Sequence, residues 1–268
     1  MNLKKISLEV RAWTKEVGKM QRTFFRSNRV KVYEKAHQDL VTQVDKDSEI
    51  FFHEKIKESF PDHTILGEEF GTSGNSNSDY TWVIDPLDGT HNFIHGLPIF
   101  VISIALSYKN ETILAVIYAP ILDEMFHAIK GQGAFLGEKK LEVSLQKDLE
   151  SSFLASGFPY DKKEHPDNNL AYINELVPQI RGLRRLGAAA YDLALVAAGC
   201  LDAYWELNLK PWDVAAGRLL VKEAGGTVLD WNPKRQVSIL AGNKVICDKI
   251  LKVFEKVDTK ILKEINLR

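Results

Sequence analysis

Residues 82–90 bring two acids, a glycine and a threonine together at the end of an apolar run. Tyr80, Trp82, Val83 and Ile84 have the composition of a short buried strand, and the run stops at Asp85 and Asp88, with Gly89 and Thr90 directly after. Two carboxylates about 4 Å apart repel by roughly 4 kcal/mol at an effective dielectric near 20. A divalent cation between them would meet that repulsion. The backbone N–H groups of Gly89 and Thr90 stand where a helical turn can begin, a seat for an anion. Metal plus phosphate is the chemistry this spacing suggests. Further acids follow apolar segments at Asp45, at Glu68-Glu69 and at Asp213 within Trp212-Asp213-Val214-Ala215-Ala216-Gly217. Each also has a plainer reading. Asp213 could be a helix N-cap, Glu68-Glu69 a solvated turn between Gly67 and Gly71, and Asp85/Asp88 an acidic turn.

The elements that must carry these residues can be read from periodicity. Leu3, Ile6, Val10, Trp13, Val17 and Met20 recur at helical spacing, predicting an amphipathic helix over about 3–27. Residues 27–38 read as a loop or irregular strand. A second helix is expected over about 45–59, ended by Pro61. A short strand at 64–67 leads to a Gly-, Ser- and Asn-rich stretch, 71–78, expected as a mobile loop. Segments 101–108, 112–119 and 124–129 suit antiparallel hairpins. Beyond residue 150, strands at 152–157, 202–206, 227–230 and 238–241 alternate with helices at about 168–179, 188–198, 213–224 and the carboxyl terminus. No repeat or linker separates the two parts. The fold class is α/β, layered sheets and helices, with an antiparallel-rich first half and an alternating second half. The chain is expected to be one domain over 1–268 with pseudo-halves at about 1–145 and 146–268.

The chain as a whole excludes several classes of function. At 268 residues and 45% hydrophobic content it can bury an ample core. Thirty-five basic residues against 36 acidic leave a net charge of −1, so no global field recruits nucleic acid or an anionic membrane. Charges interrupt each apolar run near the amino terminus, and no stretch is long enough to span a bilayer. A cytoplasmic protein with no membrane and no nucleic-acid partner is the expectation. Cys200 and Cys247 lie in apolar sequence and read as reduced thiols, with a single 200–247 disulfide left open.

Gly67-Glu68-Glu69, the run from Asp85 through Phe93 (Asp-Pro-Leu-Asp-Gly-Thr-His-Asn-Phe) and Trp212–Gly217 resemble the signatures of the inositol monophosphatase family. The resemblance extends through 39–45, 131–135, 184–189 and 240–243, in order, over nearly the whole chain. It implies a magnesium-dependent, lithium-sensitive phosphatase built as an α-β-α-β-α sandwich, and a homodimer. It implies two or three Mg²⁺ held by Glu68, Asp85, the Leu87 carbonyl, Asp88 and Asp213, hard oxygen donors that suit this ion. Carried over by position, Glu68 and Thr90 would orient a metal-activated water, with Asp45 holding the Thr90 hydroxyl. Asp88, Gly89, Thr90, Arg184, Gly187, Ala188, Ala189 and Glu206 would contact the substrate. Relatives often carry a hydroxyl residue where Ala188 stands. Lys35 reads as a solvated lysine.

The activity so implied is hydrolysis of inositol 1-phosphate to inositol and phosphate. Fructose 1,6-bisphosphate, other sugar or polyol phosphates and nucleotide phosphates are the alternatives on the same scaffold. The His91-Asn92-Phe93 continuation departs from the Lys-Glu-Phe expected of the nucleotidases. A non-catalytic metal-binding regulatory protein is the rival from another class. His91 and His95 have helical i, i+4 spacing but no further zinc-ligand context. The stretch 131–137 (Gly-Gln-Gly-Ala-Phe-Leu-Gly) imitates a dinucleotide fingerprint but follows a hairpin and opens no helix, so a tight turn is expected.

Overall fold

The computed structural model describes residues 1–27, 30–36, 39–232 and 235–266, the side chains of 34–36, 39 and 260–266 excepted. Helix α1, Leu3–Phe24, begins where the Asn2 side chain accepts the Lys5 N–H, and buries Ile6, Val10, Trp13 and Val17 along one face. Strands β1 (Val32–Ala36) and β2 (Asp39–Thr42) pair antiparallel, so the strand alternative of the 27–38 reading holds for 32–36, with a register shift between Glu34 and Ala36; residues 28, 29, 37 and 38 lie outside the described ones. Helix α2, Gln43–Ser59, starts two residues before the expected point. A reciprocal cap explains this: Thr42 Oγ1 accepts the Val44 and Asp45 N–H groups, and Asp45 Oδ2 accepts the Thr42 N–H.

The large sheet contains β3 (Thr64–Gly67), β4 (Gly71–Gly74), β5 (Tyr80–Asp88), β6 (Val101–Tyr108), β7 (Glu111–Ala119), β8 (Glu124–Ile129), β9 (Ala134–Leu136) and β10 (Lys139–Lys140). Helix α3, Thr90–Ile94, lies between β5 and β6. The spatial order is β10-β9-β8-β7-β6-β5-β3-β4. Gly71–Gly74 was expected within a mobile loop; it is instead the edge strand β4, paired antiparallel with β3. The second sheet contains β11 (Phe153–Ser156), β12 (Gly182–Arg184), β13 (Ala203–Leu209), β14 (Thr227–Asp230) and β15 (Val237–Gly242), in the order β12-β11-β13-β15-β14. Its helices are α4 (Leu170–Leu176), α5 (Ala189–Ala197), α6 (Pro211–Glu223) and α7 (Lys244–Asn266). A single 3₁₀ turn, Val177–Gln179, continues α4.

The sheets and helices alternate as five layers. Val10, Trp13 and Val17 of α1 and Phe52 and Ile56 of α2 share one core with Trp82, Ile104 and Val116 on one face of the large sheet. On its other face, α5 and α6 fill the space to the second sheet with Leu193, Ala194, Leu219 and Leu220. The far face of that sheet is covered by Tyr172 and Leu176 of α4 and Ile250 and Phe254 of α7. The middle layer is tight because its contact residues are small. A Cβ at Gly217 would sit 2.5 Å from the Leu193 side chain, so α5 and α6 meet across a glycine. The Gly131-Gln132-Gly133 turn has a definite task. The amides of Gly131 and Gly133 both donate to the Glu223 carboxylate, each at 2.8 Å, and tie the large sheet to the end of α6.

Among the described residues no helix is long and apolar enough to cross a membrane. Cys200 and Cys247 are both free; Cys247 is buried but Cys200 is exposed, not apolar-packed as its sequence suggested.

Candidate active site

Strands β3 and β5 run parallel, with Gly67 opposite Ile84, so the chain leaves both at the same sheet edge. That edge is where parallel sheets bind ligands, because side chains of successive loops converge there. The Glu68 amide still bonds the Ile84 carbonyl, at 3.2 Å. Glu68 and Asp85 therefore emerge side by side. In a regular strand Asp85 and Asp88 would face opposite ways. The β5–β6 register slips between Asp85 and Asp88, and the extra residue restores both to one side. Pro86, which has no N–H to give the ladder, falls within this bulge. Its carbonyl accepts a 2.8 Å bond from the buried Gln21 of α1, which pins the irregular backbone.

Each of the three aspartates has at least one oxygen fixed by the backbone. Asp85 Oδ1 accepts the Leu87 N–H at 3.0 Å, and Asp88 Oδ2 accepts the Ala190 N–H at the start of α5 at 2.7 Å. Asp213 Oδ2 accepts the Lys210 N–H at 2.8 Å. Asp213 is thus not the N-cap. With Pro211 as the first residue of α6, it occupies the third helical position and reaches back. Anchoring one oxygen fixes the direction of the whole carboxylate, and Asp85 also shares a hydrogen bond with Glu68. Thr90 Oγ1 lies 2.9 Å from Asp45 Oδ1 and 3.0 Å from the Leu87 carbonyl, so its single proton is shared between them. Gly89 turns the chain with a φ of 97°, and a Cβ there would press on the Ile99 carbonyl and Ala188.

Glu68, Asp85, Leu87, Asp88, Gly89, Thr90 and Asp213 line one cavity of about 240 Å³. Burial pushes Asp85 well above the usual carboxylate range, and the charges of Glu68, Asp88 and Asp213 add to it. Burial, then Asp88, raises Asp213 in the same way. Burial lifts Asp88 to about 7 against the Ala190 amide, which opposes the rise. Asp45, beneath Thr90, is pushed up to about 6 by burial. Groups that resist ionisation through mutual repulsion are stabilised as anions by a cation. The donors are hard oxygens, the carboxylates of Glu68, Asp85, Asp88 and Asp213 with the Leu87 carbonyl, and this set fits Mg²⁺. Among the described residues no three His, Cys, Asp or Glu side chains are already closed into metal-ligand geometry.

Gly187, Ala188, Ala189 and Glu206 line the same cavity, as expected of substrate contacts, and His91 lies at its edge with Tyr160. Glu206 is half-buried inside β13, not at a solvated strand end. Tyr204 donates to it at 2.5 Å, and burial raises its carboxyl to about 7. Arg184 does not line the cavity. It ends β12, and its guanidinium stacks 4.1 Å over the Phe153 ring of the neighbouring strand. The next residue projects the other way, so Arg185 lines the cavity and acts electrostatically on Glu206 and Asp192. The side chain of Lys35 lies outside the described ones.

Sequence reasoning missed Gln21, Glu49, Arg185 and Asp192. Asp192 is buried beside Glu206, with Oδ1 lacking a hydrogen-bond partner among the described residues. Glu49 left a legible trace: it lies one helical turn beyond Asp45 on α2.

Residues 3–265 match the profile of the inositol monophosphatase family. The chain is 42% identical over 227 residues to the Nus factor SuhB of Haemophilus influenzae, covering 85% of each chain. It is 45% identical over 230 residues to the Nus factor SuhB of Pseudomonas aeruginosa, covering 83% of this chain and 85% of that one. A solved inositol monophosphatase from Anabaena (Nostoc) sp. PCC 7120 superposes with a TM-score of 0.86 at 37% identity, covering 96% of this chain and 97% of the other. With its layered fold, its acidic cavity and a match over almost its full length, the chain belongs to the inositol monophosphatase family, a family of phosphatases.

Proposed function

We propose that the chain is an Mg²⁺-dependent phosphomonoesterase that hydrolyses inositol 1-phosphate, working as a cytoplasmic homodimer sensitive to lithium. The observation that carries the reading is a set of four backbone-anchored or mutually repelling acids, Glu68, Asp85, Asp88 and Asp213, in one cavity with Thr90, whose hydroxyl Asp45 holds from beneath. Glu68, Asp85, the Leu87 carbonyl, Asp88 and Asp213 would hold two or three Mg²⁺. Bound Mg²⁺ supplies Lewis-acid stabilisation of phosphoryl charge and lowers the pKa of water. The protein's own part is positioning, which is most of what phosphoryl transfer requires. The Thr90 proton is committed to Asp45 or the Leu87 carbonyl, so the Thr90 oxygen can accept a hydrogen bond from the attacking water. Glu68 would then accept the proton that water gives up, and the polyol oxygen released as its P–O bond breaks takes up a proton from solvent. The Gly89 and Thr90 amides receive phosphate oxygens, and Glu206 accepts hydrogen bonds from polyol hydroxyls.

A panel of inositol 1-phosphate, fructose 1,6-bisphosphate and 3′-phosphoadenosine 5′-phosphate, compared by kcat/KM with Mg²⁺, tests the substrate. Inositol 1-phosphate is expected to lead; a nucleotide ahead of it by an order of magnitude would remove the assignment. Millimolar Li⁺ is expected to slow the reaction. The Nus factor name of the curated relatives favours one second reading, a regulatory or scaffold role for the same fold. Asp88→Asn separates the two, since equal phosphate release from variant and wild type would leave the acids no part in turnover.

A further inference from the structure

Helix α2 carries two buried carboxylates, spaced one turn apart, beside the turns that line the cavity. The first, Asp45, holds Thr90. The second, Glu49, is fully buried and does not itself line the cavity. Its Oε2 accepts the Glu69 N–H at 2.8 Å and its Oε1 accepts the Phe70 N–H at 3.0 Å. His53, one turn further along α2, lies 3.4 Å from Oε1. Both amides belong to the turn that leaves β3 directly after Glu68. A Cβ at Gly67 would lie 1.9 Å from Glu49 Oε1, so this glycine is required by space for the carboxylate, not by its backbone angles. The Gly-Glu-Glu signature thus carries its own socket for a side chain eighteen residues earlier.

We propose that Glu49 is the positioning residue for Glu68. By clamping the amides of residues 69 and 70 it sets the direction from which Glu68 enters the acidic cavity. The same helix that aligns Thr90 thereby aligns the carboxylate expected to face it. Two converging N–H donors need two acceptor atoms. A carboxylate provides them, whereas an amide offers one acceptor and turns its own N–H₂ toward the second donor. Aspartate carries the same two acceptors on a stem one methylene shorter, which holds them back from both donors.

This assignment rests on Glu68 being an Mg²⁺ ligand, and the test separates the two ideas. Mg²⁺ binding by calorimetry, amide hydrogen exchange at residues 69 and 70, and steady-state kinetics are measured on full-length wild type, Glu49→Gln and Gly67→Ala. Substitutions that orient metal ligands indirectly cost about 10–100-fold in affinity or activity. Glu49→Gln is expected to weaken Mg²⁺ binding by about tenfold or more, to speed exchange at both amides, and to raise the Mg²⁺ needed for half-maximal rate. Gly67→Ala, which displaces the same carboxylate from the other side, is expected to do the same, and the double variant to add little. A Glu49→Gln protein that melts earlier yet binds Mg²⁺ as the wild type does would overturn the positioning role. If Glu49→Gln does not fold, Gly67→Ala decides on the same readouts. A wild type that takes up no Mg²⁺ would overturn the metal reading itself.

Discussion

Replacing Glu206 by glutamine should make the metal-free protein more stable at alkaline pH and less able to use a polyol substrate. Burial raises the Glu206 carboxyl from its ordinary 4.5 to about 7, opposed by the Tyr204 hydroxyl and the Arg185 charge. Ionising it in the fold therefore costs about 3 kcal/mol more than in the unfolded chain. The sign follows from proton counts. Between pH 4.5 and 7 the unfolded chain has released this proton while the folded chain keeps it, so stability falls as pH rises and levels off above 7. Glutamine is nearly isosteric, still accepts the Tyr204 hydroxyl, and carries no charge to ionise. Losing a hydrogen bond to a charged acceptor returns about 1 kcal/mol of the gain. A net stabilisation of about 2 kcal/mol at pH 8, fading to none near pH 5, is expected. At roughly 2–4 °C per kcal/mol for large domains, Tm should rise by about 4–8 °C. The assay is thermal melting of wild type and Glu206→Gln in chelator from pH 5 to 8, taken as a difference so that other titrations cancel. In parallel, kcat/KM for inositol 1-phosphate should fall, because the amide presents a donor where hydroxyl protons are to be accepted. Melting curves that stay parallel across the range would refute the burial argument.

Thr90→Ala removes the hydroxyl that lies between Asp45 and the Leu87 carbonyl. Misplacing a reacting group by about 1 Å can cost 10²-fold, so kcat should fall by about that much while KM moves little; an equal loss in 1/KM would assign Thr90 to substrate binding instead. His63 is stacked between Phe60 and Tyr80, and its Nδ1 accepts the Trp82 indole N–H at 3.1 Å, which requires the neutral ring. Burial lowers its pKa below 6.5, so the stability it contributes is present above 6.5 and is lost as pH falls through its folded pKa. An NMR titration placing His63 above 6.5 would contradict this.

Much of the site was legible in local sequence. The apolar run ending at Asp85 and Asp88 predicted a buried strand delivering two acids. Asp213 was legible as the start of a helix but not as its third residue, because which backbone N–H a short acid reaches depends on where Pro211 begins the turn. Arg184 and Arg185 could not be told apart. The pairing of β12 with β11 puts the Arg184 guanidinium over Phe153, and the chain leaves the strand at Arg185, which lines the cavity. The stretch 71–78 has loop composition throughout, yet 71–74 became an edge strand because β3 offered it an unpaired ladder.

By itself, then, the order of residues determined the family, the layered fold class and which acids are proposed to hold a cation, since residue type, spacing and apolar period act over a few neighbours. Tertiary structure alone decided that a bulge at Pro86 would turn Asp85 and Asp88 to the same side. It also decided that Glu49 would lock the Glu68 turn and that Glu223 would fill the 131–133 turn. Those outcomes depend on where distant backbone amides come to rest. A buried carboxylate must find such donors wherever the packing of strands and helices has placed them.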